Sequence, residues 1–232
     1  MEKIAVVTGG ASGLGESIAQ VLSLNGYKVI VWDRSGTSPH TLINCDVTNP
    51  DSVQSALSAS LKISPKFDVL VNSAGIAIAI PTISRNSIHD LSAFESVLQV
   101  NIIGLFDVCR NVAKHMQGGV IINIASMAAF EGQRGQVAYA ASKGAVAGLT
   151  MPLARDLASK KIRVVCLCPG IIETPMSSLI KPSIKEKILK AISVGRFGKT
   201  QELAHVVQMC VENGYINGTC VQFNGGGVFP NI

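Results

Sequence analysis

Charge is scarce in this chain: Asp, Glu, Lys and Arg make up 15% of its 232 residues, while hydrophobic residues make up 47%. That balance argues against a disordered chain. Long uninterrupted apolar runs are missing too. Gly, Pro and polar residues break each one before bilayer length, so no membrane partner is expected. Metal-type spacing is absent as well. The six cysteines (45, 109, 166, 168, 210, 220) form no Cys-x-x-Cys pattern and the four histidines are scattered, so reduced core thiols and no metal site are expected. Cys166 and Cys168 would share one face of a strand, with no further ligand near them in sequence. Aromatic residues do not interleave the basic ones, which excludes a nucleic-acid surface of the usual kind. Neither an internal repeat nor a low-complexity tract occurs. The first residues run straight into a strand-like pattern without the marks of a leader, so a cytoplasmic location is expected, with the mitochondrial matrix as the alternative through an uncleaved signal.

At this length one domain over 1–232 is expected. The net charge of +5 is matched by the segment 181–199 alone, where Lys181, Lys185, Lys187, Lys190, Arg196 and Lys199 face one acid, Glu186. Such a run reads either as a solvated helix face or as a patch that meets an anionic substrate handle. Bounded by Pro182, Gly195 and Gly198, it has the marks of a mobile lid.

What is present begins with an apolar run, Lys3 to Thr8, suited to a buried parallel strand. It empties into Gly9-Gly10-Ala11-Ser12-Gly13-Leu14-Gly15, and a helical pattern follows to about Leu24. Glycines between a strand and a helix permit close approach of a diphosphate to free helix N–H groups. A second strand from Tyr27 ends at Asp33, whose carboxylate can accept both ribose hydroxyls of an adenosine and repel a 2′-phosphate. That favours NAD over NADP, although the adjacent Arg34 would tolerate a phosphate. After a short strand, Thr41 to Cys45, Asp46 is placed either to touch the adenine amine or to begin the turn into a helix from Pro50 to Leu61. A fourth strand, Phe67 to Val71, leads to Asn72-Ser73-Ala74-Gly75, small residues suited to lie beside a flat cofactor.

A long helix is expected over Leu91–Met116 with Asn101 in its middle, where asparagine is unfavourable unless it binds a water or opens a kink. Strands are expected at Val120–Ala125, Ile162–Leu167 and Thr219–Phe223, with a last helix at Gln201–Val211. Ser126 follows the first of these strands. Tyr139 and Lys143 stand four apart in a helical run continuing towards Leu157, with Pro152 kinking or interrupting it. A free phenol has a pKa of about 10, so ionising it near neutral pH requires roughly 4 kcal/mol of favourable interaction. A nearby ammonium and a bound cofactor cation would supply it. With Ser126 bonding the same oxygen, the three form a proton-transfer site for a carbonyl or alcohol.

Taken together, Thr8-Gly9 through Gly13-x-Gly15, Asp46, Asn72-x-Ala74-Gly75, Asn101, Ser126, Tyr139-x-x-x-Lys143, and Pro169-Gly170 with Thr174 resemble the short-chain dehydrogenase/reductase family over nearly the whole chain. Within it, 125–143 and 152–158 are similar to type 2 3-hydroxyacyl-CoA dehydrogenases, while the run 116–119 is shorter than the corresponding loop of those relatives. The resemblance implies a Rossmann-type α/β fold, a doubly wound seven-stranded parallel sheet, usually assembled as a homotetramer. It implies Tyr139 as general acid/base, Lys143 lowering its pKa and binding the nicotinamide ribose, Ser126 holding the substrate oxygen, and Asn101 anchoring a relay water. Cofactor contacts are implied for Gly9, Ser12, Gly13, Leu14, Gly15, Asp33, Asp46, Val47, Asn72, Ser73, Ala74, Gly75, Tyr139, Lys143, Pro169, Gly170, Ile172 and Thr174. Gln133 is either a substrate contact or an ordinary polar loop residue. The activity implied is NAD-dependent interconversion of a 3-hydroxyacyl-CoA and a 3-oxoacyl-CoA. A 3-oxoacyl-acyl-carrier-protein reductase, an alcohol or hydroxysteroid dehydrogenase, and a non-catalytic cofactor-binding scaffold subunit stand as alternatives.

Overall fold

Seven strands run parallel in one sheet: β1 (Lys3–Thr8), β2 (Tyr27–Asp33), β3 (Thr41–Asn44), β4 (Phe67–Asn72), β5 (Met116–Ile124), β6 (Arg163–Pro169) and β7 (Thr219–Phe223). Their order in the sheet is β3-β2-β1-β4-β5-β6-β7. The computed structural model describes residues 2–175 and 177–227. Helices α1 (Gly13–Leu24), α2 (Pro50–Ile63), α3 (Leu91–Leu98), α4 (Leu105–Ala113), α5 (Val137–Asp156), α6 (Pro182–Ala191) and α7 (Thr200–Glu212) complete the doubly wound arrangement.

Strand periodicity explains the two layers. Along β1, Ile4 and Val6 join one apolar cluster with Leu70, Ile121 and Val164, residues of α2, α4 and α5 closing over it. Ala5 and Val7 point the other way, into a cluster with Val31, Val71, Ile122 and Leu167 beneath α1 and α7. With both faces covered, the strands are near-continuous Val, Ile and Leu rather than alternating.

Two elements differ from the sequence expectation. The helix expected to reach Met116 ends at Ala113, and β5 begins at Met116 rather than Val120. Gly118 and Gly119, which read as a loop, have φ of 87° and 88° and form an irregularity inside β5, where pairing with β4 jumps from Phe67↔Met116 to Val69↔Val120. Between α3 and α4 the backbone widens into a π-helical turn, Gln99–Gly104, which carries Asn101. Contrary to the expectation from apolar run length, Leu91–Ala113 taken as one helix is long enough to cross a bilayer, with mean hydropathy 1.4. It packs on α5 and the sheet and buries Asn101 and Asp107, while Leu91, Ile103 and Phe106 remain exposed. Helix α5 continues through Pro152 to Asp156. The segment 181–199 folds as α6 and a return loop around its own apolar cluster of Ile188, Ile192 and Phe197.

A Cβ on Gly119 would collide with the carbonyl of Asp68 and would sit at a φ that L side chains rarely adopt. Gly119→Ala is therefore expected to destabilise the protein by at least about 2 kcal/mol in urea unfolding. An unchanged midpoint would show that the glycine irregularity in β5 is not required.

Candidate active site

Strand order reverses between β1 and β4, and a cleft of about 440 Å³ opens there at the carboxyl ends of the strands. Its floor is the turn after β1. The Thr8 hydroxyl accepts the main-chain N–H groups of Ser73 and Ala74, both at 3.2 Å, drawing the segment after β4 against the glycine turn. Gly9, at φ 65°, is needed because a Cβ there would lie 2.8 Å from Ala74 backbone atoms. Ser12 caps α1 without a side-chain bond to it, so the first N–H groups of that helix face the cleft unspent. Asp33 closes one end, its Oδ2 accepting from the Ala11 N–H at 3.0 Å. Asp46 commits Oδ1 to the Thr48 N–H and hydroxyl at 2.9 and 2.7 Å, and these bonds hold its carboxyl below the usual range.

Of the residues expected at the cofactor, Gly9, Ser12, Gly13, Leu14, Gly15, Asp33, Asp46, Val47, Ser73, Ala74, Gly75 and Thr174 line this cleft. Asn72 is placed behind it. The Asn72 side chain is buried and donates to Asn123 Oδ1 at 2.8 Å, tying β4 to β5. Pro169 ends β6, the Gly170 N–H donates to Phe223 O at 2.7 Å, and Ile172 pairs with Gly198. Thr174 closes a tight turn in which its N–H donates to the Ser177 hydroxyl at 2.9 Å. Trp32, Arg34, Ser35, Cys45, Ile76, Val100 and Pro175 also line the cleft and were not singled out as contacts from sequence, although Arg34 was weighed beside Asp33.

Ser126, Tyr139 and Lys143, expected to transfer the proton, are not among the residues lining this cleft and assemble beside its Gly75 wall. Ser126 is the extended residue leaving β5, and its hydroxyl accepts the Ala128 N–H at 3.1 Å, which fixes its rotamer. Tyr139, in the first turn of α5, is hydrogen-bonded through its hydroxyl to Ser126. One turn on, the buried Lys143 donates from Nζ to Ile124 O at 2.8 Å and lies 5.7 Å from the Tyr139 ring centroid. Gly75 joins this group to the cleft: a Cβ there would be 3.5 Å from Lys143 Nζ and 3.2 Å from Asn101 Oδ1.

Asn101, fully buried, accepts from the Ile76 N–H and donates to Ile76 O, both at 2.8 Å, and donates to Ser142 Oγ at 3.0 Å. Ser142 in turn donates to Tyr139 O at 2.7 Å. The Asn101 side chain thus clamps the cleft wall to α5. Ser142 was missed from sequence because only the π-helical turn brings it to Asn101. Gln133 is tied within its own loop, its Nε2 donating to Glu131 O at 3.1 Å.

The titration picture departs from expectation in one respect. Burial raises the Tyr139 pKa and outweighs the opposing Ser126 bond, instead of Lys143 lowering it. Lys143 itself is pushed down to about 8 by burial.

A family model described as short chain dehydrogenase matches residues 3–185. The chain belongs to the short-chain dehydrogenase family. It is 41% identical to the 3-hydroxyacyl-CoA dehydrogenase type-2 of Rattus norvegicus, over 96% of this chain and 94% of that protein. Among solved structures, the 3-hydroxyacyl-CoA dehydrogenase type-2 from Mycobacterium avium superposes with a TM-score of 0.91 at 30% identity, covering 100% of this chain and 98% of that one. A 7α-hydroxysteroid dehydrogenase complexed with NADH and 7-oxo glycochenodeoxycholic acid gives 0.90 at 28% identity, covering 98% and 95%. For this short-chain dehydrogenase, the family and the NADH-complexed neighbour support a nicotinamide cofactor.

The buried ammonium has a stability consequence. Lys143 is lowered from 10.5 to about 8, so at pH 7 it is protonated both folded and unfolded, and the folded state bears the full desolvation penalty, about 3 kcal/mol. Between pH 8 and 10.5 the unfolded chain binds the extra proton, so stability rises with pH in that window. Lys143→Met is expected to be more stable than the parent at pH 7, with the difference in denaturation free energy closing towards pH 10.5. A pH-independent difference would contradict a desolvated Lys143.

Proposed function

We propose that this short-chain dehydrogenase interconverts a 3-hydroxyacyl-CoA and a 3-oxoacyl-CoA using NAD. The observation that carries the chemistry is the Ser126–Tyr139 hydroxyl pair beside Lys143 at the Gly75 wall of the cleft. The choice of substrate rests on the type-2 relatives, 41% identical in the rat. A nicotinamide bound in the cleft supplies or accepts the hydride at the substrate carbon. The protein supplies position and the proton. Ser126, its rotamer set by Ala128, donates to the substrate oxygen. Tyr139 stays protonated at neutral pH, the form that donates a proton to a carbonyl oxygen during reduction. Oxidation requires the phenolate, and the Lys143 ammonium, 5.7 Å from the Tyr139 ring centroid, is the cation proposed to favour it. Asn101 holds the wall at Ile76, with a relay water as the further role proposed for it.

The preference for NAD rests on Asp33, a carboxylate oriented by Ala11 in the cleft wall where a 2′-phosphate would lie. Arg34 beside it is what favours the NADPH-using reductase reading. In the basic segment, Arg196 is forked onto Glu202, Lys190 is paired with Glu186, and Lys185 lies over the Phe197 ring. Lys199 sits beside Glu202 as well, which leaves Lys181 and Lys187 as the proposed partners for the phosphates of a CoA thioester. Exposed Ile103 and Phe106 on α4 and its flank, with Met151 on α5, support burial between subunits in a homotetramer.

Initial rates with acetoacetyl-CoA are expected to give kcat/KM at least about tenfold higher with NADH than with NADPH. Equal or better use of NADPH would overturn the role given to Asp33, and no turnover with either would send the search to alcohols and steroids. Tyr139→Phe is expected to lower kcat by about 10³ with NADH binding retained. A protein whose biological activity survives that change is a scaffold, not an enzyme.

A further inference from the structure

Strand pairing brings together three thiols that lie far apart in sequence. Cys166 and Cys168 point to the same face of β6, with their sulfurs 3.7 Å apart, and Cys220 on β7 is the register partner of Cys166. All three sulfurs lie within 4.8 Å of one another. This corrects the expectation that Cys166 and Cys168 have no third ligand: Cys220 comes from another strand. Small residues of α5 cover the group, with Ala147 O 3.9 Å from Cys220 Sγ and Thr150 hydrogen-bonded to Cys166. Cys166 and Cys168 are fully buried, whereas Cys220 is half-buried and offers the way in.

We propose that Cys166, Cys168 and Cys220 form a three-thiol binding site for a neutral, thiol-seeking trivalent oxyacid, arsenous acid, beneath the helix that carries Lys143. Three considerations select this ligand. Sulfur donors favour soft, thiophilic centres. Among the described residues no fourth Cys, His or carboxylate joins the group, so the tetrahedral protein cage of a structural zinc ion is incomplete. A divalent cation would also have to enter an apolar core near the Lys143 ammonium and find thiolates there, whereas burial and contact with neighbouring sulfurs raise the pKa of Cys166 and push that of Cys220 up to about 11.

Arsenous acid escapes both penalties because it is uncharged and reacts with thiols. Each S–H proton leaves with one hydroxyl of the acid as water, so three S–As bonds replace three As–O bonds and three waters are released. Arsenic stays trivalent and nothing is oxidised or reduced. An arsenic atom lodged here would press on α5 one to two turns beyond Lys143, so occupancy should register as lost turnover.

The test is titration of the whole protein with arsenite, followed by non-denaturing mass spectrometry and by NADH-linked turnover. One arsenic per chain with loss of three hydrogens is expected, with inhibition following the same curve. Half-saturation should rise at least about tenfold in Cys168→Ser and in Cys220→Ser, with Cys220→Ala as a second variant at the most peripheral thiol, while Cys210→Ser behaves as the parent. Equal affinity in the Cys220 variants, an adduct that keeps a thiol proton, an adduct without inhibition, or tighter binding of Zn(II) than of arsenite would each overturn the proposal.

Discussion

A lysine ammonium sealed against the end of β5 is the constraint on which the active region depends. Lys143 donates to Ile124 O, the last residue of that strand, and has almost no contact with solvent. Burying a cation in this way is unfavourable, as its depressed pKa records. The surrounding structure has to hold it in place. Helix α5 does so with a run of Ala, Ser and Gly on either side, which lets the helix lie close to β6, while Ser142 beside it links the helix to Asn101. Gly75, which lines the cleft, keeps a side chain away from Nζ, since a Cβ there would stand 3.5 Å from it. The charge that weakens the resting protein is therefore also the charge held beside the Tyr139 ring, and under the proposed function this is a trade of stability for activity.

Most of the fold was legible because a doubly covered parallel sheet writes itself as short Val- and Ile-rich runs separated by helical periods. The strands other than the mostly exposed β3, which follows β2 with no helix between, were visible in this way, as was the glycine turn, whose place between strand and helix decides its meaning. The errors are equally physical. Gly118 and Gly119 looked like a loop because glycine pairs usually are one, but here they bend β5 without ending it. The helix that carries Asn101 reads as one continuous period, and composition alone does not reveal that six residues are underwound into a π-helical turn.

Within the site, local and non-local information separate in the same manner. Tyr139 and Lys143 were legible because four residues make one helical turn, and Ser126 because it ends a strand. The direction of the tyrosine shift was not legible, since it depends on how deeply the phenol is buried and on an ammonium that turns to Ile124. Asn72 shows the converse. It sits in a recognisable motif, yet its side chain is used between strands, bonding Asn123 behind the cleft wall. Cys220 was invisible as a neighbour of Cys166 because parallel strands separated by two helices carry no mark of their register.

The π-helical turn also explains how the cleft and the Ser126–Tyr139–Lys143 group keep their spacing. Its last residue, Gly104, lies so close to Val47 that a Cβ would stand 2.6 Å from the Val47 carbonyl, and Gln99 at its start reaches Thr48 O at 3.4 Å. Val47 lines the cleft next to Asp46, at the end where Asp33 also sits. Three residues before Gly104, Asn101 grips Ile76 and, through Ser142, the first turn of α5. One short widened turn therefore touches the acidic end of the cleft on one side and the proton-transfer group on the other. An ordinary helix would place Asn101 and Gly104 differently about the axis, because inserting a residue rotates everything after it by about 100°. The asparagine that looks misplaced in a helix is thus the residue around which the two are set.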